Sequence, residues 1–220
     1  MKKIVAGILM IITMMALCAC GTTEKWLLTR EVWNDYGQPT YTYLYDGKGD
    51  VTEVQLTEEW YEGSHWLRIH MKNKKIDSVE SNGNELLASH SPKSDGALEM
   101  EILLEGNYKF TLSYYNDGAC FEKEAYTINE QGRVVHKSVQ WYGDTKEEYD
   151  YKYDANNVLI EQTFTSVDLD TEEVLDKQTV QYYCTYDSNG NPAYLYYVGD
   201  DESTDWPVCQ FMWNLAEIKR

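Results

Sequence analysis

Apolar and polar positions alternate with period two along most of this chain. Tyr41, Tyr43 and Tyr45 share one face of an extended segment, as do Tyr149, Tyr151 and Tyr153, and then Tyr182, Cys184 and Tyr186. Leu67, Ile69 and Met71 alternate with Trp66, Arg68 and His70, and "KIDSVES" returns across a lysine turn at Lys72–Lys75. "GALEMEILLEGNYKFTLSYY" predicts a hairpin turning at "EGN", and "DWPVCQFMWNL" an apolar last strand. "ELLASHSPKSDGALE" is ambiguous between a helical turn and a loop. The pattern predicts about fourteen strands and no long amphipathic helix. The expected fold class is all-β: an antiparallel meander of repeated β-hairpins forming an extended twisted sheet or open barrel.

The turns between these strands repeat one frame. "WNDYGQP" (Trp33–Pro39), "YDGKGDV" (Tyr45–Val51), "YDANNVL" (Tyr153–Leu159) and "YDSNGNP" (Tyr186–Pro192) place Asp or Asn after an aromatic, then Gly or Asn three residues on. "YNDGACF" and "INEQGRVV" are looser copies. Asp and Asn side chains bond their own backbone two residues on, and Gly or Asn accepts positive φ, so each frame has hairpin chemistry. The set resembles the YD-repeat family, whose units read roughly Y-x-Y-D-x-x-G-x-[LVI]. The resemblance is clearest over Trp26–Leu56 and Tyr149–Val198, looser over Tyr114–Gln140 and absent over Thr57–Glu105. Asn157 stands where Gly is usual, Cys184 replaces a Tyr, and Pro192 replaces the branched residue. The resemblance implies tyrosines stacked on one sheet face; the shells of large YD-repeat proteins need more repeats than fit here.

The first segment changes the picture of where the chain works. Lys2 and Lys3 precede an uncharged apolar run, Ile4–Leu17, too short to span a bilayer and typical of an export signal. Leu17-Cys18-Ala19-Cys20 then resembles the lipobox of bacterial lipoproteins. By that resemblance residues 1–19 are a lipoprotein signal peptide, Cys20 is lipidated, residues 20–25 are a short linker, and residues 26–220 form a single YD-repeat-like β domain. It implies an exported protein held by lipid on the extracytoplasmic face of the cell membrane.

Composition sharpens the class. Nineteen tyrosines against 4 phenylalanines, with 7 tryptophans, suit half-wet sheet faces. The formal net charge of −18 grows more negative if Lys2 and Lys3 leave, which excludes nucleic acid as a partner. Such a surface also repels anionic lipid, so attachment must come from the Cys20 lipid.

Chemistry is sparse. His65, His70, His90 and His136 are scattered without metal-ligand spacing, and "DSNGN" fails as an EF-hand because Pro192 and Val198 fall at its sixth and twelfth positions. There is no G-x-S-x-G, no phosphate loop and no dinucleotide fingerprint. No catalytic residue, metal or cofactor is expected. Trp60, Tyr61, Trp66, Trp141 and Tyr142 are the candidate ligand-binding residues, as aromatics that either build the core or stack on a ligand. The function expected is a non-enzymatic interaction or structural module of the cell envelope, partnered by an envelope protein. The alternative is a carbohydrate- or cell-wall-binding module using an aromatic sheet face. Cys184 and Cys209 flank the strand at Tyr194–Val198, roughly 9.5 Å apart by strand spacing. A disulfide needs Cα atoms within about 7 Å, so reduced, buried thiols are expected at Cys120, Cys184 and Cys209.

Overall fold

The computed structural model describes residues 22–34, 39–60, 63–82, 98–141, 145–198 and 207–219. Residues 1–19, read from sequence as a signal peptide, together with Cys20, Tyr61, Tyr142 and the ambiguous stretch before Leu98 lie outside the described residues. The strands are β1 (Thr22–Trp33), β2 (Thr40–Tyr45), β3 (Val51–Trp60), β4 (Gly63–Lys72), β5 (Lys75–Ser81), β6 (Leu98–Leu104) and β7 (Lys109–Asn116). They continue as β8 (Ala119–Ile128), β9 (Val134–Trp141), β10 (Thr145–Tyr153), β11 (Leu159–Asp168), β12 (Val174–Tyr186), β13 (Pro192–Tyr197) and β14 (Cys209–Lys219). Residues 22–25, read from sequence as linker, are the start of β1.

All fourteen strands form one antiparallel meander, and β1 pairs with β14 over its whole length. The sheet curls into a nearly closed barrel whose seam lies between β5 and β6. There Ile76 donates its amide to the Asn107 carbonyl at 2.9 Å. The tyrosine trios turn inward except at Tyr186, which is 50% exposed. Leu67, Ile69 and Met71 also turn inward, while Asp150, Lys152, Lys123 and Lys177 are exposed outside. Glu53, Arg68, His70 and Glu80 form a charged network on the outer face of β3–β5. Lipid-facing barrels show the opposite alternation, apolar outside and polar within.

Four turns share one hydrogen-bond pattern. Asp46, Asn129, Asp154 and Asp187 each use Oδ1 to accept amides two and four residues on, at 2.8–3.0 Å. The residue three positions on has positive φ in each: Gly49, Gly132, Asn157 and Gly190. A register shift precedes each turn, as in three-residue hairpin loops with a bulge. "INEQGRVV" is therefore a full copy of the frame, whereas Asp117 and Gly118 make a tighter turn with both φ positive. The four repeated turns all lie at one end of the barrel, where Thr22 pairs with Lys219.

That end is closed. Val54, Ile69, Met71, Phe110, Ile128, Val158 and Phe211 are buried there, and the β8–β9 turn tucks across onto β3 and β4. A Cβ on Gly132 would come within 2.5 Å of Val54 Cγ2 and 3.0 Å of Met71 Sδ. The next residue, Arg133, crosses the interior and bonds Glu31 on β1, with the Tyr43 and Tyr153 rings each 5.4 Å from its guanidinium carbon. Cys184 and Cys209 pair with Leu195 from opposite sides, and neither they nor Cys120 form a disulfide. Burial holds for Cys209 alone. Cys184 is half-buried and Cys120, beside a two-residue turn, is exposed.

Candidate functional site

The other end of the barrel encloses a cavity of about 790 Å³. It lies among the strand ends joined by the β1–β2, β3–β4, β7–β8, β9–β10 and β13–β14 connections, opposite the end where the described chain starts. Eight tyrosines line it, with Trp33, Trp141 and Phe121. The same period-two trios that build the closed end thus supply its walls: Tyr153 sits deep, Tyr151 and Tyr149 progressively nearer the mouth.

Charged side chains share this inner face. Five carboxylates (Glu31, Glu58, Glu122, Glu124 and Glu147) and two permanent cations (Arg133 and Lys137) line the cavity. Both cations are already engaged. Burial alone would lower Arg133, but Glu31, Tyr43 and Tyr153 hold it above its ordinary value. Tyr43 donates to the other Glu31 oxygen at 3.1 Å. Lys137 Nζ lies 2.9 Å from Glu124, which also accepts the Tyr126 hydroxyl at 3.2 Å. Burial would lower Lys137 too, but Tyr126 and Glu124 keep it raised. Tyr149 donates to Glu147 at 2.8 Å, and His65 Nδ1 stands 3.9 Å from Glu58.

Glu122 is the outlier. Its cross-strand partners are Tyr114 on β7 and Trp141 on β9, and all three line the cavity. Burial, then the neighbouring Glu124, pushes its carboxyl up to about 7 against the pull of Lys137 and His65. A carboxylate with aromatic residues opposite it on both neighbouring strands, and with the nearby cations committed elsewhere, can attract positive charge but gives no nucleophile–base pair. Among the described residues no group of His, Cys, Asp and Glu is arranged to hold a metal.

The sequence candidates separate in space. Trp141 lies at the mouth, 52% exposed. Trp66 is on the outer face, covered by the Arg68 guanidinium at 5.0 Å, so it shares no surface with Trp141. The Trp60 side chain, Tyr61 and Tyr142 lie outside the described residues. Sequence reasoning missed Glu31, Glu122, Glu124, Arg133 and Lys137. A signal existed, since Glu122 and Glu124 share the parity of Tyr126 and Ile128, placing charge on an otherwise apolar face.

No protein-family model matches the chain, and no curated protein matches it significantly. Among solved structures it is similar to a porin-like protein from Bacteroides vulgatus, at 8% identity and a TM-score of 0.43, covering 86% of this chain and 99% of that one. A porin-like protein from Bacteroides uniformis aligns at 11% identity and a TM-score of 0.22, over 90% of this chain and 99% of that one. The architecture stands on this chain's own strands: an all-β, antiparallel meander of fourteen strands closed almost completely into a barrel.

Proposed function

We propose that this is a lipid-anchored cell-envelope protein whose barrel interior is a non-enzymatic binding pocket. The observation that carries the reading is the aromatic cavity of about 790 Å³ at one end of an otherwise packed barrel. Its size falls in the range of small-molecule sites, and its walls mix rings with a few placed polar groups. The charged network on the outer face of β3–β5 supports a barrel that works in water rather than as a pore through lipid. Signal and lipobox supply the anchor. Thr22 lies at the closed end, and two residues from Cys20 reach at most roughly 7 Å. The closed end therefore rests near the membrane and the mouth points away from it. The shared Asp/Asn turns support a repeat origin of the YD type, used here to build one small barrel.

One comparison tests both halves of the reading. Wild type, Cys20→Ala and Val180→Trp (a cavity-wall position) are expressed in bacteria and fractionated. Purified proteins are then exposed to a small-molecule extract, and what they retain is read by mass spectrometry. Cys20→Ala should leave the membrane fraction yet keep its captured molecule; Val180→Trp should stay anchored and capture nothing. Membrane-bound Cys20→Ala would overturn the anchor, and equal capture by Val180→Trp would overturn the pocket.

A further inference from the structure

The chemistry of the cavity wall narrows what it can hold, taking the pocket reading above as given. An anion has nowhere to sit: Arg133 and Lys137 are each tied to a carboxylate, and the lining carries an excess of three carboxylates over permanent cations. A neutral sugar could stack on Trp141 but would leave Glu122 without a counter-charge. The strand register adds a geometric cue. Tyr114, Glu122 and Trp141 stand side by side across β7, β8 and β9, a carboxylate flanked by two aromatic side chains. Aromatic faces with a carboxylate are how proteins recognise alkylammonium groups. Deeper in the cavity Val134, Val139, Leu159 and Val180 offer apolar wall for a carbon skeleton.

We propose that the pocket takes an organic cation, an ammonium on an apolar body, with its charge seated against Glu122 between Tyr114 and Trp141. The chain's net charge of −18 favours the same choice from a distance, since a negative cleft concentrates cations at its mouth. Binding is coupled to protons. Glu122 faces Glu124 on its own strand, Lys137 on β9, His65 on β4 and Tyr114 on β7, and with its carboxyl near 7 it must ionise fully to pair with the ligand. Ionised Glu122 falls roughly tenfold between pH 8 and pH 6, and affinity should fall by about the same factor.

The probes are benzyltrimethylammonium, its uncharged carbon analogue neopentylbenzene, and chitotriose, titrated into the full chain in detergent while Trp fluorescence is followed. The cation should bind at least about tenfold more tightly than the neutral analogue. Glu122→Gln should lose that preference and the pH dependence, and Trp141→Ala, at a half-exposed position, should weaken the cation while melting like wild type. Equal affinity for cation and analogue would overturn the charge assignment, as would an unchanged preference in Glu122→Gln. Chitotriose binding without the cation would overturn the ligand class and leave the pocket standing. No binding of any probe, with capture from the extract still blocked by Val180→Trp, would likewise overturn the cation alone; loss of that capture difference would take the pocket reading with it.

Discussion

The two ends of this barrel are built by the same strands and do opposite things. At the closed end, the residues that follow each repeated turn fold inward: Val158 and Leu159 are buried, and Pro192 is buried with its carbonyl accepting Trp213 Nε1 at 2.6 Å. At the open end the inward positions carry tyrosines and carboxylates that leave space between them. The difference lies in what crosses the interior. The β8–β9 turn and Arg133 bridge the two walls at the closed end, and nearer the mouth the walls stand apart around the cavity. A small barrel can therefore be a packed core at one end and a pocket at the other, built from the same strands.

The largest effect should come from cutting the bridge. Glu31→Gln leaves the Arg133 charge buried without its carboxylate, a loss of about 3–5 kcal/mol in urea denaturation. A loss below about 1 kcal/mol would mean that the closed end is held by its apolar residues alone, and the contrast between the ends would lose its cause.

A pair of glycines sharpens the comparison within the repeated turns. Gly132 and Gly190 have φ of +76° and +81°, but only Gly132 has no room for a Cβ. Alanine at Gly190 should cost the left-handed strain alone, about 1 kcal/mol. Alanine at Gly132 adds overpacking against Val54 and should cost about 2–4 kcal/mol. Equal denaturation midpoints for the two variants would show that the β8–β9 turn does not plug the barrel.

The remaining effect belongs to the open end and has a pH signature. With Glu122 pushed up to about 7 by burial and Glu124, the folded state holds more protons than the unfolded one from ~4.3 upward. Stability therefore falls as pH rises through that window and stays lower above it. Glu122→Gln removes this contribution, so the variant should match wild type near pH 4 and, after solvent screening of this partly exposed group, exceed it by on the order of 2 kcal/mol at pH 8. Parallel pH profiles would mean that Glu122 is better solvated than its position implies.

How much of this was readable in advance depends on the residue. The inward tyrosines, the turn Asp and Asn residues and the strand count follow from local rules: period two sets the face, an Asx side chain bonds its own loop, and Gly or Asn takes positive φ. The copy at "INEQGRVV" looks loose in sequence because Ile128 replaces the aromatic, although Asn129 and Gly132 carry all the turn chemistry. The candidate aromatics were chosen for size and polar surroundings, which cannot tell the outer face at Trp66 from the mouth at Trp141.

Sequence alone determined an all-β meander, its face assignments, its repeated hairpins and the absence of cysteine pairing between neighbours of one strand, because each depends on contacts within a hairpin or between adjacent strands. The tertiary structure decided the rest. The β1–β14 pairing, the seam at β5–β6, the Arg133–Glu31 bridge over 102 residues of separation and the gathering of Glu122, Tyr114 and Trp141 at one mouth all depend on how the sheet curls. Curling sums small strand twists and bulges over fourteen strands, and no single stretch of sequence records that sum.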